Sequence, residues 1–411
     1  MISGYRKKYF RYRFVGQEYT PLIFTFESES PVFTVMTHVQ HRVFPWNLKI
    51  KVLCLSMLVF TGCSTLPDVS PVKSGVGGPA KTTSTLVPLY VVSTRKAETE
   101  RAQSSDLARD TRFLVSSVSI PPGHQPGVIE QPSFGSPNKA SHFVFAGQRD
   151  LDEQSFKSEI AMQISGRVGV NRDVLVYVHG FNTGYDEARF RLAQIVEDSD
   201  FTGIPVLFTW PSRNKVLAYG ADKESATASR DALEQALTDL SETAGIGRIH
   251  LLAHSMGTWL TMEAMRQRAM AGQANLNGKI GEIMLAAPDI DLDVFRSQLA
   301  RVGKVTRISL FASTDDRALS LSSVLAGDRQ RLGALDLTNP KHREEITSLG
   351  VRVYDLTGSD VPDFFKHGTF AEAPSVVRSI GMQLAESPLA EQQPQAYIDQ
   401  NTGSSPALRI Q

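Results

Sequence analysis

A serine set between small residues at a strand-to-helix junction is the chain's clearest opportunity for covalent chemistry. The segment is Ala253-His254-Ser255-Met256-Gly257, preceded by the strand-like Ile249-His250-Leu251-Leu252 and followed by a helical pattern. At such a junction a tight, strained turn projects the serine hydroxyl, and small residues two before and two after it let strand and helix pass closely. The five-residue string alone is a weak signal; its placement between strand and helix makes it a strong one. A serine hydroxyl is a poor nucleophile at neutral pH, so the chemistry calls for a base and for a group that orients that base.

Of nine histidines, His367 is the only one beyond the last strand-like run, Gly350 to Leu356, and it sits in the polar segment Phe365-Lys366-His367-Gly368-Thr369. His367 is therefore the expected base. His254 adjoins Ser255 and should point elsewhere around the turn, and His250 reads as a core residue. The orienting acid is expected in Ser313-Thr314-Asp315-Asp316, behind the strand Arg307 to Ala312, with Asp316 favoured over Asp315. Asp289, Asp291 and Asp293 are rivals whose better reading is helix capping or support of the rim.

An acyl-transfer site also needs donors aimed at the developing oxyanion; losing one costs about 3 kcal/mol. The backbone N–H of Met256 is one by position. The other is expected from Val178-His179-Gly180-Phe181-Asn182: Phe181 N–H donates, Gly180 permits close backbone approach and His179 gives structural support.

Elements that would position these groups follow from apolar periodicity. Leu86 to Thr94, Thr111 to Ile120 and Ala140 to Ala146 read as an antiparallel opening, interrupted by the Pro/Gly-rich stretch 121–127. From Asp173-Val174-Leu175-Val176-Tyr177-Val178, an apolar run suited to a strand buried on both faces, strands and helices alternate. The expected strands are 204–210, 248–253, 281–287, 307–312 and 350–356. The expected helices begin near Tyr185, run from Lys223 to Thr243 and from Met256 to Ala271, and end with one at 373–384. Alternation of this kind demands parallel pairing through right-handed crossovers, with helices on both faces of a doubly wound sheet. Trp210, ending one strand on the edge that carries the serine, either lines an acyl site or packs in the core.

The chain order Ser255, Asp316, His367, with His179-Gly180 upstream, resembles the α/β-hydrolase superfamily. Val178-His179-Gly180-Phe181-Asn182, Thr209-Trp210-Pro211-Ser212, Ala253-His254-Ser255-Met256-Gly257, Ala287-Pro288-Asp289 and Asp316-Arg317-Ala318-Leu319 together resemble an uncharacterised bacterial branch of it. The likeness spans about residues 86–385; Ala253 stands where the superfamily usually has glycine. It implies an α/β-hydrolase fold and a Ser255–Asp316–His367 triad, supports Asp316 over Asp315, and names no substrate. The stretch from Asp289 to Lys304, where many lipases insert a lid, is short, so little or no cap is expected, with Ser320 to Leu349 the better covering element.

Ahead of this domain, Asn47 to Lys51 form a basic flank, Val52 to Phe60 are apolar and Thr61-Gly62 precede Cys63. These are the parts of a secretory signal near residues 47–62, and the apolar run falls short of the roughly 20 residues a bilayer span needs. Phe60-Thr61-Gly62-Cys63 resembles a bacterial lipobox, with Phe60 where Leu is usual. The resemblance implies lipidation at Cys63 and, with Ser64 following, an outer-membrane lipoprotein facing the periplasm. Residues 1–63 then form an extension and signal segment, which implies a later translation start such as Met36. Residues 64–85 read as a Ser/Thr/Pro/Gly linker, and 386–411 as a disordered tail.

Lys plus Arg and Asp plus Glu each total 43, and no basic stripe recurs after residue 13, which argues against a nucleic-acid partner. The two cysteines, Cys54 and Cys63, supply no disulfide framework. No helical pattern carries histidines at metal-binding i, i+4 spacing, since His250 and His254 fall in a strand-like run, and the triad calls for no cofactor. The expectation is a serine hydrolase cleaving small-molecule or lipid acyl esters near a membrane. The alternatives are a serine peptidase or amidase and a non-catalytic envelope binding protein.

Overall fold

The computed structural model describes residues 83–99, 103–303, 307–325, 327–363, 365–386 and 398–399. The signal segment, Cys63, nearly all of the linker and all of the tail except Glu386 and Ile398–Asp399 lie outside the described residues. Among the described residues, no helix is long and apolar enough to cross a membrane.

β1 (Thr85–Ala97) and β2 (Gln103–Ile120) pair antiparallel, and β3 (Val144–Leu151) adds antiparallel to β2. After α1 (Glu153–Ile164) the chain runs through β4 (Val174–Val178), α2 (Tyr185–Asp198), β5 (Ile204–Thr209), α3 (Tyr219–Ala228) and α4 (Arg230–Glu242). It continues through β6 (Ile249–His254), α5 (Met256–Met270), β7 (Ile280–Ala286), α6 (Leu292–Val302), β8 (Arg307–Ala312) and α7 (Arg317–Leu325). The last elements are α8 (Pro340–Ser348), β9 (Arg352–Asp355), α9 (Thr369–Glu372), α10 (Pro374–Ala385) and the two-residue β10 (Ile398–Asp399), parallel to β9.

The strands form one sheet in the order β10-β9-β8-β7-β6-β4-β5-β1-β2-β3, parallel from β10 to β1. The expected fold class, a mostly parallel α/β sheet with antiparallel strands at one edge, is what the structure has. Strand alternation divides the core between the two faces. Val174, Val176 and Val178 of β4 pack with Leu233 and Leu237 of α4, Leu260 of α5 and Phe295 of α6. Leu175 and Tyr177 face the other way, toward Leu192 and Ile195 of α2 and Val376 and Ile380 of α10. Full burial of each such side chain contributes about 1.5–3 kcal/mol.

From β4 the chain moves outward to β5 and then returns to the opposite side of β4 as β6. In open parallel sheets, ligands bind at the carboxyl ends of the strands beside such a reversal, here β4 and β6. Gly180 and Ser255 stand at those two strand ends.

Several expected boundaries move. The strand expected at Ala140–Ala146 lies at β3, because residues 138–142 are consumed by a turn in which Ser141 and His142 N–H groups bond Asn138 O. The single helix expected from Lys223 to Thr243 is two helices broken at Ser229, and its apolar stripe Leu233, Ala236, Leu237, Leu240 belongs to α4 alone. Ser320–Leu349 is stitched to the strand ends: Gly333 O accepts from Ser313 N, while the N–H groups of Gly333 and Leu332 donate to Pro288 O and Ile290 O.

Candidate active site

Ser255, between β6 and α5, has φ 52° and ψ −124°, a conformation an L-residue adopts at a cost of roughly 1–3 kcal/mol. Surrounding hydrogen bonds hold it there. Ser255 N–H donates to Ala286 O at 2.9 Å, and its carbonyl accepts from the N–H groups of Thr258 at 3.0 Å and Asp289 at 3.3 Å. A Cβ on Gly257 would meet His179 O at 2.4 Å and Val178 O at 2.6 Å, so only glycine lets α5 start this close to β4. A Cβ on Gly180 would meet the Ser255 Cβ at 2.8 Å, which puts the two strand-end loops in direct contact. Ser255 is 3% exposed.

Asp316 and His367 come together from positions 51 residues apart: His367 Nδ1 lies 2.7 Å from Asp316 Oδ2. Asp316 is 1% exposed, and its other oxygen accepts from Leu319 N–H at 2.9 Å, which fixes the carboxylate plane. Asp315 is engaged elsewhere, with Lys366 Nζ at 2.7 Å, Gly358 N–H and the Ser313 hydroxyl. Burial by itself would lower the His367 pKa, but the charge and hydrogen bond of Asp316 outweigh it and hold the imidazole above the ordinary histidine value of 6.5. With Nδ1 committed to Asp316, Nε2 is the nitrogen left for chemistry. Asp363 shapes the histidine loop, its carboxylate accepting from the N–H groups of Phe365, His367 and Gly368.

His254 joins the His367 loop to the Ser255 turn. Its Nε2–H donates to the His367 carbonyl at 3.0 Å, and its ring lies 4.6 Å from His367 and 4.7 Å from Phe370. Burial and the nearby His367 charge keep it neutral, well below the usual pKa. His250 is a buried core residue accepting from Glu282 N–H through Nδ1.

His179 is fully buried, its Nδ1 2.9 Å from Gly180 O, with Trp210 stacked on its ring at 5.1 Å. Trp210 is itself fully buried and donates its indole N–H to His179 O, so it supports the loop from within the core. Phe181 packs edge-on against Tyr219 at 5.4 Å. Met256 is the first residue of α5, so its N–H has no acceptor within the helix.

The rival acids have other partners. Asp289 accepts from the Tyr219 and Ser322 hydroxyls, each at 2.8 Å, and pairs with Arg331. Asp291 caps α6 through the N–H groups of Asp293 and Val294, and Asp293 pairs with Arg296 on the surface. A polar groove between α5 and α6, lined by residues including Glu263, Arg266 and Gln298, starts two turns along α5 from Ser255 and holds no serine–histidine pair.

Sequence reasoning passed over Arg95, Tyr219, Asp363 and the role of His254. Arg95 carried a signal, a charged residue continuing the apolar run of β1. The others act through tertiary hydrogen bonds that leave no local pattern.

Solved structures similar to this chain include the predicted CIB-like hydrolase of Thermoplasma acidophilum, 16% identical over 53% of this chain and 89% of that one, with a TM-score of 0.32. An esterase from Pyrobaculum calidifontis is 10% identical over 57% and 93%, TM-score 0.33. A thermostable esterase from Pseudomonas putida is 10% identical over 57% and 90%, TM-score 0.30. No curated protein matches. A family model described as an alpha/beta hydrolase of unknown function (DUF900) matches residues 152–386, more than half of the chain, which therefore belongs to that alpha/beta hydrolase family.

Proposed function

We propose that the protein is a serine hydrolase that cleaves carboxylic esters through an acyl-enzyme on Ser255. The observation that carries this reading is the 2.7 Å pairing of His367 Nδ1 with buried Asp316, on a loop tied by His254 to the residue beside Ser255. His367 Nε2 takes the hydroxyl proton as Ser255 Oγ attacks the ester carbonyl. Asp316 keeps the imidazole in that tautomer and stabilises the imidazolium. Met256 N–H, at the positive end of α5, and Phe181 N–H stabilise the oxyanion. Collapse breaks the C–O bond, and His367 returns the proton to the departing alcohol. Water then enters by the same route in reverse, His367 taking its proton, and releases the acid.

A fluorophosphonate probe tests the reading. Labelling that disappears in Ser255→Ala is expected; a wild-type protein that stays unlabelled would count decisively against it. Parallel p-nitrophenyl esters and peptide anilides separate ester from amide cleavage, with the esters expected to turn over faster.

Activity should depend on pH with a definite sign. The base works unprotonated, so kcat/KM falls as pH drops through the His367 pKa, with a midpoint above 6.5. The ion pair contributes stability in the opposite sense. Because the folded pKa is raised, that contribution is complete below the unfolded value near 6.5 and fades as pH rises through the folded one. A kcat/KM profile with its acid limb below 6 would contradict this.

The lipobox-like Phe60-Thr61-Gly62-Cys63 supports a membrane-anchored enzyme in the bacterial envelope, acting on lipid or small-molecule esters. Metabolic palmitate labelling lost in Cys63→Ser is the expected result; a mature protein retaining residues before Cys63 overturns it.

A further inference from the structure

Arg95 is 2% exposed, and among the described residues no carboxylate pairs with it. It lies on β1, outside the segment that the family model matches. Its Nε–H donates to Thr209 Oγ1 at 2.8 Å, Nη1–H to Ser212 O at 3.1 Å and Nη2–H to Thr183 O at 2.9 Å. A second Nη2 contact reaches His179 Nε2 at 3.4 Å. Burial lowers its pKa only to about 10, which leaves it charged at neutral pH. A buried cation without a direct ion pair is costly to keep; Asp222 and then Glu187 offset its charge only at longer range, and the direction of its hydrogen bonds indicates a use.

Each link has one possible polarity. Arginine can only donate, so Thr209 Oγ1 accepts from it, and the threonine O–H is then free to donate to His179 Nε2 at 3.0 Å. Trp210 N–H, also an obligate donor, reaches the same nitrogen at 3.2 Å. Nε2 is therefore bare and the proton sits on Nδ1, which donates to Gly180 O. Burial first, and then the charge of Arg95, push the His179 pKa down to about 3, so the ring stays neutral at working pH. The trans peptide 180–181 carries that carbonyl on one side and Phe181 N–H on the other. Pinning and polarising the carbonyl both aims the N–H away from His179 and strengthens it as a donor.

We propose that Arg95 is a positioning residue for oxyanion stabilisation, acting through the directed chain Thr209 hydroxyl, His179 imidazole and Gly180–Phe181 peptide. The inference rests on the serine hydrolase reading for its catalytic consequence, but the hydrogen-bond chain itself does not. Donors in series polarise one another, so a cation at the far end strengthens the last N–H before charge develops on the substrate. No proton is transferred along the chain.

Thr209→Val removes the hydroxyl link while keeping shape and the arginine, leaving only the longer 3.4 Å Arg95–His179 contact; Arg95→Gln removes the charge. Both should lower kcat for a p-nitrophenyl ester by roughly 10- to 100-fold, short of the 10²–10³ lost with outright removal of an oxyanion donor, with KM nearly unchanged. The affinity of an aryl trifluoromethyl ketone, which forms a tetrahedral oxyanion on serine, should weaken by the same factor. The Thr209→Val/Arg95→Gln double variant should be no worse than the poorer single one. Histidine-selective ¹⁵N NMR reads the chain without reference to activity: wild-type His179 should be the Nδ1–H tautomer, with its proton resonance moving upfield in both variants. Should Arg95→Gln not fold, Thr209→Val carries both measurements. An unmoved Nδ1–H resonance overturns the chain. A shifted resonance with kcat and ketone affinity within twofold of wild type overturns its catalytic role. A wild-type protein unreactive to fluorophosphonate, with the resonance behaving as described, leaves the chain standing and removes the hydrolase reading instead.

Discussion

Ser255→Ala is expected to lower kcat for a p-nitrophenyl ester by roughly 10⁶-fold, the scale at which removal of a serine nucleophile disables a triad that works as a unit. The fold should hardly notice. The backbone hydrogen bonds to Ala286 O, Thr258 N–H and Asp289 N–H remain, and the change removes one hydroxyl, so stability should stay within about 0.5 kcal/mol of wild type. Ser255→Gly separates the two roles of the position further. Glycine adopts φ 52°, ψ −124° without strain, so this variant should be equally inactive yet as stable as the alanine variant or more so. Denaturant unfolding of the three proteins beside steady-state kinetics checks this. Residual turnover in Ser255→Ala above about one thousandth of wild type would mean that another group performs the chemistry.

The sequence carries this site unevenly, for physical reasons. Ser255, Gly257 and Gly180 are legible because a tight turn between strand and helix restricts residue size locally: the contacts that forbid a Cβ at 257 come from the strand beside it. Buried parallel strands are legible as well, since both of their faces are apolar; β4, β6 and β8 fall within a residue of where hydrophobic runs predict them. β3 is less so. It is an edge strand, Val144-Phe145-Ala146-Gly147-Gln148-Arg149-Asp150-Leu151, in which no residue is buried and Gln148, Arg149 and Asp150 break the apolar run, as suits an edge that must not recruit another strand. The amphipathic helices α1 and α6 bury only three residues each, Phe156, Ile160 and Ile164 in one and Phe295, Gln298 and Val302 in the other, and so present a thin stripe to a periodicity search.

Long-range polar contacts were beyond any local pattern. The hydrogen bond from His254 to the His367 carbonyl joins residues 113 apart, and that from Arg95 to Thr209 joins residues 114 apart. Each depends on which strand neighbours which. Arg95 reaches Thr209 because β1 pairs with β5 in the register Ser93–Thr209, a consequence of sheet order rather than of either segment's composition.

Asp316→Asn and Asp315→Asn should part sharply, the first losing about 10³–10⁴ in kcat and the second less than about threefold. At 316 the carboxylate is fixed by two donors, Leu319 N–H on Oδ1 and His367 Nδ1–H on Oδ2. An asparagine there satisfies Leu319 with its carbonyl and turns its NH₂ toward His367. Donor then faces donor, and the imidazole escapes the clash by moving its proton to Nε2, the nitrogen that must accept from Ser255. The geometry survives while the tautomer is wrong, which is why a change of one atom should cost about 4–5 kcal/mol of barrier. At 315 the substitution weakens a partly exposed pair with Lys366, a contact worth no more than about 1 kcal/mol to stability and not part of the Asp316–His367 hydrogen bond. Adding Asp316→Asn to Ser255→Ala should then cost almost nothing further, since an imidazole with no hydroxyl to activate has no tautomer to lose. Equal losses at 315 and 316, or full additivity with Ser255→Ala, would show that Asp316 supports the fold of the histidine loop rather than the proton transfer.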